Sequence, residues 1–194
     1  MITKIQVQDI YKTREICNNK HDWNVLISLY DPDSLEDIKE LKEANIKNNP
    51  GVVHHVEEFN DLDETWMYRK PFTEEELERW IDDPYFNDQK GPCYKNLLNI
   101  IAVGRELKAM DESFNVLVHC HAGVSRSTAT AIILRYLNGM TEEEAIMATF
   151  KDRRCMWPNQ LMLRLADKIL DSNLYPAILL WKEEENKKPF GSNL

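Results

Sequence analysis

The sequence is poor in residues that break or cross-link a chain: among 194 residues there are 6 glycines, 8 prolines and 4 cysteines. So little glycine and proline excludes a collagen-like or low-complexity polypeptide. With 43% apolar and 29% charged residues, the chain reads as an ordered globular protein. Cys17, Cys93, Cys120 and Cys155 stand far apart with no CxxC pair, which argues against a disulfide scaffold or a zinc ribbon. No stretch approaches the ~20 apolar residues that a membrane-crossing helix needs. Excess positive charge is missing as well: 24 Lys and Arg against 33 Asp and Glu leave a net charge of −9. Neither nucleic acid nor an anionic membrane is therefore an expected partner. The opening residues Met1-Ile2-Thr3-Lys4-Ile5-Gln6 lack the apolar core of a signal peptide, and with free thiols the expected setting is a reducing cytoplasm.

What is present is the alternation of an α/β domain. Short β-branched runs at Ile2–Val7, Asn24–Leu29, Val52–Phe59 and Phe114–His119 predict strands. Val116-Leu117-Val118 is an unbroken apolar run, as in a central strand covered on both faces. Helical stripes fall between them, at Leu35, Ile38 and Leu41 and at Leu97, Ile100, Ile101, Gly104 and Leu107. Thr73-Glu74-Glu75-Glu76 and Thr141-Glu142-Glu143-Glu144 read as capping boxes. Ser127–Leu137 is apolar almost all round and so predicts a buried helix, with Gly139 placed to end it; another helix is expected over Gln160–Leu170. The expected fold is one α/β domain over residues 1–181, a mostly parallel twisted sheet flanked by helices, followed by a charged tail at 182–194.

The chemistry concentrates between the apolar strand and the buried helix, in His119-Cys120-His121-Ala122-Gly123-Val124-Ser125-Arg126-Ser127. A buried helix start presents unpaired N–H groups and the positive end of the helix dipole, a ready seat for an anion. His121, Ala122, Gly123, Val124 and Ser125 can curl round a phosphate with their N–H groups turned inward, forming a nest. Gly123 permits the tight turn and the close approach. Arg126 offers its planar fork to two phosphate oxygens. The same field favours the thiolate form of Cys120, which is the nucleophilic form. A free cysteine is more often an inert core thiol and an arginine a surface ion pair. Here the two stand in one loop with Gly123 and Ser127, and such a loop serves attack of sulfur on phosphorus.

These residues meet every element of a His-Cys-x5-Arg-Ser/Thr signature. By them the chain resembles the cysteine-dependent protein tyrosine phosphatase superfamily, in particular its small bacterial and phage tyrosine phosphatase-like members related to dual-specificity phosphatases. Weaker echoes are Ile27-Ser28-Leu29 with Pro32, Phe59-Asn60-Asp61-Leu62, and Pro158-Asn159 leading into Leu165-Ala166-Asp167-Lys168-Ile169-Leu170. The resemblance implies that Cys120 forms a phosphocysteine while Arg126 and the amides of residues 121–125 hold the phosphoryl oxygens. It implies further that Ser127 stabilises the thiolate as it leaves, that His119 braces the loop, and that a carboxylic acid protonates the departing oxygen. Asp61 fits the family's Phe-x-Asp-Ile/Leu pattern and follows a strand, although it lies 59 residues before Cys120, farther than relatives place it. Residues 64–93 read as an insertion, so Asp88 or the pair Asp82 and Asp83 are alternative acids. Trp66, Tyr68 and Trp80 of that segment either touch substrate or pack it onto the domain. Asn159 either stabilises the loop from behind or starts the last predicted helix.

The implied activity is hydrolysis of phosphotyrosine, and with it phosphoserine or phosphothreonine, on a phosphorylated protein or a small phosphomonoester, with no cofactor and no metal. His54, His55, His119 and His121 are not read as a metal site, since neighbouring strand residues face opposite ways. His121, Ala122, Val124 and Ser125 include none of the lysines carried by phosphoinositide-directed relatives, which disfavours an inositol phosphate; an RNA 5′-phosphate is disfavoured on charge. The other readings are a pseudophosphatase that binds a phosphorylated ligand without turnover, and rhodanese-like sulfur transfer. Cys93 is a candidate resolving thiol for an oxidised Cys120.

Overall fold

The structure, a computed structural model, describes residues 1–63, 70–82 and 90–187. In chain order β1 (Ile2–Gln8) leads to α1 (Ile10–Cys17), β2 (Val25–Tyr30), a 3-10 turn at Pro32–Ser34, α2 (Leu35–Asn48) and β3 (Val53–Glu58). Then follow α3 (Glu74–Asp82), α4 (Tyr94–Ala109), β4 (Phe114–His119), α5 (Arg126–Leu137), α6 (Glu142–Asp152), α7 (Gln160–Leu170) and α8 (Leu174–Lys187). The strands form one sheet in the order β1-β4-β2-β3, and every pairing is parallel. The four predicted strands are all present and the expected α/β class holds.

Alternation along the strands divides the apolar side chains between two layers. Val25, Ile27, Leu29, Val116 and Val118 face the larger core, with side chains from α3 to α8. Leu26 and Leu117 face the opposite way, into a smaller cluster with Ile10, Cys17, Trp23 and Leu41 from the α1 and α2 side. This is why β4 reads as continuous apolar sequence: it is central and covered on both faces. The helix α5 is buried from Arg126 to Arg135. It stops where Gly139 takes φ +105°, a left-handed turn that a side chain would strain.

Both capping boxes form. Thr73 Oγ1 accepts from Glu76 N (3.2 Å) while Glu76 Oε2 accepts from Thr73 N (2.7 Å), and Thr141 and Glu144 repeat the exchange. The described part of the predicted insertion docks on α7: Arg164 bonds Phe72 O (2.8 Å) and Glu74 (3.0 Å), and Lys168 reaches Glu78 (3.0 Å). Trp80 belongs to the core at 3% exposure, with its ring 5.6 Å from that of Phe72 and its indole N–H donating to Pro92 O (2.8 Å). It packs the segment onto the domain, while Trp66 and Tyr68 lie outside the described residues.

One residue of the charged tail differs from expectation. Residues 182–187 continue α8, and Lys182, expected in solvent, is buried with its ammonium 3.9 Å above the Trp157 ring. Burial pushes that ammonium down to about 8, with the Asp63 carboxylate pulling the other way.

Trp80→Ala removes a buried indole and its hydrogen bond at once. It is expected to lower unfolding stability by about 3–5 kcal/mol in urea titration, and a loss below 1 kcal/mol would show that the segment is not part of the cooperative core.

Candidate active site

The carboxyl ends of β4 and β2, neighbours at the middle of the sheet, open toward one loop, residues 120–125, which enters α5. Its geometry follows from what its carbonyls do. His121 O accepts from Ile10 N (3.1 Å), Val124 O from Trp157 N (2.9 Å), and Ser125 O from Asn159 N (3.3 Å) and Ala129 N (3.0 Å). Arg153 takes two more, Nη2 donating to Ala122 O and Nε to Gly123 O, each at 3.0 Å. Thr128 Oγ1 adds bonds to Val124 O (2.5 Å) and Ser125 O (2.9 Å). All five carbonyls are thus drawn outward. In a planar trans peptide the N–H points opposite to the carbonyl, so the N–H groups of residues 122–126 are turned away from these partners, one residue on from the 121–125 set expected from the sequence. Among the described residues none of them donates to a backbone carbonyl. Gly123 makes the turn possible at φ +67°; a Cβ there would sit 2.7 Å from Gln8 and Asp9 backbone atoms.

Cys120 lies on the floor of this loop at 1% exposure, with Ser127 Oγ 3.1 Å from its Sγ. Arg126, the first residue of α5, is folded back and 2% exposed. Its five N–H groups divide in an informative way. Asp31 faces the end-on edge, its Oδ2 accepting from Nη2 (3.1 Å) and its Oδ1 forming an ion pair with Nη1 (3.1 Å). Nη1 also donates to Phe59 O (2.6 Å). The remaining edge, Nε with the second Nη2 hydrogen, is left over. Among the described residues the buried Nε has no hydrogen-bond partner, and Asp61 Oδ2 lies 3.8 Å from it. A buried guanidinium with one fork anchored and the other open is built to take two oxygens of an anion.

Asp61 reaches the same place from the segment after β3: its Oδ1 accepts from Ser125 Oγ (2.7 Å) and Asn159 Nδ2 (3.0 Å). Asn159 does both things weighed for it, starting α7 by accepting from Met162 N (3.0 Å) and holding the loop and the Asp61 segment from behind. The structure therefore brings together Cys120, Arg126, Ser127 and Asp61 around residues 121–125. Asp83, Asp88 and the Asp82 side chain lie outside the described residues. Sequence reasoning missed Asp31 and Arg153. Asp31 carried one usable sign, its place directly after a parallel strand, where α/β sites are assembled.

Behind the loop His119 Nε2 and His54 Nε2 both meet Ser28 Oγ, at 2.6 and 2.7 Å. Burial first and mutual repulsion next hold His119 down to about 3; burial, followed by the Lys42 and His55 charges, holds His54 down to about 4. Both rings are neutral at pH 7, so the Ser28 hydroxyl donates to one and accepts from the other. His55 sits on the opposite face of β3, 3.1 Å from Glu57, so the two adjacent histidines do point apart.

No family model and no curated protein matches the chain. Solved structures are similar to it over most of its length. Tk-PTP in its active form is 16% identical, over 90% of this chain and 92% of that one, with a TM-score of 0.48. The PTP-2 phosphatase of Cydia pomonella is 21% identical, over 86% and 85%, with a TM-score of 0.49. PTPMT1 in complex with PI(5)P is 18% identical, over 92% and 94%, with a TM-score of 0.48.

Two outcomes follow from the site's geometry. Asp31→Asn leaves the buried guanidinium without its counter-charge and should cost on the order of 1–3 kcal/mol of stability by chemical denaturation, together with weaker binding of inorganic phosphate or vanadate by titration. The two histidines set a pH dependence. The folded values lie below the unfolded value near 6.5, so the unfolded chain binds more protons as pH falls. Stability is full above about pH 6.5 and is lost as the pH drops toward 4 and 3, with each ring removing about 2 kcal/mol by pH 5. His54→Gln should reduce that acid slope by about half in denaturation curves at pH 7 and pH 5; an unaltered slope would contradict the burial of a neutral ring.

Proposed function

We propose that this chain is a phosphatase that hydrolyses phosphomonoesters through a phosphocysteine, acting on phosphotyrosine and also on phosphoserine or phosphothreonine. One observation carries the reading: directly after Cys120 the carbonyls of residues 121–125 are all tied to other parts of the fold, and Arg126 is anchored end-on with its Nε left without a hydrogen-bond partner among the described residues. That is a seat for a tetrahedral dianion with a sulfur nucleophile beneath it.

In this mechanism the thiolate of Cys120 attacks phosphorus opposite the ester oxygen. The S–P bond forms as the P–O bond breaks, and charge gathering on the three equatorial oxygens meets the amides and Arg126. Asp61 gives its proton to the departing oxygen and then takes one from the water that cleaves the phosphocysteine. Ser127, 3.1 Å from the sulfur, donates a hydrogen bond to the thiolate as it is released. His119 is neutral and engaged with Ser28, so it serves as a brace rather than a base. With sulfur as nucleophile and Arg126 as the fixed cation, the chemistry asks for no metal.

The test is hydrolysis of a small aryl phosphate in excess chelator. Activity is expected, inhibited by vanadate and abolished by Cys120→Ser; full activity in Cys120→Ser would overturn the assignment. Asp61→Ala should lower kcat by ~10²–10⁴-fold with KM little changed. Tight binding of a phosphopeptide without turnover by the unmodified chain would instead favour a pseudophosphatase.

A further inference from the structure

The two hydrogen bonds on Asp61 fall on the same oxygen. Ser125 Oγ and Asn159 Nδ2 lie 2.7 and 3.0 Å from Oδ1, while Oδ2 is the atom turned toward Arg126 Nε at 3.8 Å, on the side of the phosphoryl seat. The orientation of the Asn159 amide is fixed independently. Its Oδ1 accepts from Met162 N (3.0 Å) and its Nδ2 also donates to Leu62 O (2.9 Å), so only N–H hydrogens face Asp61. The Asn159 N–H occupies one lone pair of Asp61 Oδ1, and the Ser125 hydroxyl, donating at 2.7 Å, occupies the other, which leaves Oδ2 for the proton.

We propose that Ser125 and Asn159 are positioning residues for the acid: by donating to Oδ1 they confine the transferable proton of Asp61 to Oδ2, the oxygen that faces the leaving group. The inference rests on Asp61 as the acid and deepens that reading. During transfer the Oδ2–H bond breaks and the proton passes to the ester oxygen, which takes the electrons of the breaking P–O bond. Asp61 is left as a carboxylate whose Oδ1 is already held by two donors. Ser125 thereby has two parts, its N–H turned into the seat and its hydroxyl orienting the acid. One residue couples the place where phosphate binds to the place where the proton departs.

The experiment compares kcat/KM for phenyl phosphate, whose leaving group needs a proton, with 2,4-dinitrophenyl phosphate, whose leaving group does not. For Ser125→Ala and Asn159→Asp the loss on phenyl phosphate is expected to exceed that on the dinitrophenyl ester by about tenfold, a part of the full acid effect. Asn159→Asp keeps an acceptor for Met162 N but removes the donor. Ser125→Thr, which restores the hydroxyl, should recover most of the difference. Asp61→Asn sets the ceiling. If Asp61→Asn shows the leaving-group bias while Ser125→Ala and Asn159→Asp lose equally on both esters, the positioning inference falls and the acid stands. If Asp61→Asn shows no bias, the acid assignment falls and takes the inference with it.

Discussion

The site depends on a short backbone segment held with its carbonyls outward. Amide N–H groups that converge on one point repel one another, and an unpaired buried N–H costs free energy. A loop in the shape of residues 120–125 is therefore unfavourable on its own and persists because the other half of each peptide is tied down. The ties come from across the fold: Ile10 at the start of α1, Arg153 after α6, Trp157 and Asn159 before α7, and Thr128 within α5. Arg153 is itself aligned by Asp9, 3.5 Å away, the same residue that caps α1 through Lys12 N. The sheet contributes by placing β1 beside β4, so that Gln8 and Asp9 lie against Gly123. Residues from the end of β1 to the start of α7 must be docked before the loop takes this shape, which makes it a product of the whole sheet and its helices.

The same economy governs Arg126. A guanidinium at 2% exposure would be costly if any of its donors lacked a partner and no anion were to come. Asp31 and Phe59 O satisfy the end-on side and fix the plane of the group, so the side-on fork is aimed before a ligand arrives. Preorganisation of this kind is what allows a small number of donors to act strongly on developing charge. It also accounts for an acidic protein with an anion seat: the net charge of −9 is a property of the surface, and the positive potential is local, made of amides and one buried cation.

What could be read in the sequence follows from how far each feature depends on its neighbours in the chain. The loop from His119 to Ser127 is contiguous, so its place between β4 and α5 was legible from the strand and helix that flank it. The strand β4 and the helix α5 were legible because each is buried on all sides and written almost entirely in apolar or small residues. Asp61 was legible through its local pattern. Asp31 and Arg153 were not: they look like surface charges until the fold carries them to Arg126 and to the Ala122 and Gly123 carbonyls. One helix and the start of another also escaped. The sequence of α1, IYKTREIC, has too few apolar positions to mark a stripe, although Asp9 caps it. The start of α8 is hidden by Pro176, which is harmless in a first turn, and by Asp171, which takes the left-handed conformation at φ +52° where glycine would have announced a boundary.

The histidine beside Cys120 is not a cation. In enzymes that pair cysteine with an imidazolium, the cation is a mobile one that leaves when the ring loses its proton. Here the His119 ring is held neutral, down to about 3, and is fixed through Ser28 to a second neutral ring at His54. A protonated His119 would add to the positive field, but it would also place a desolvated cation among apolar strands beside Arg126, and burial prevents it. The positive groups beside Cys120 are thereby ones that do not titrate near neutrality: the start of α5 and Arg126. The imidazole pair contributes shape, locking the end of β4 where the loop begins, while the field comes from the backbone.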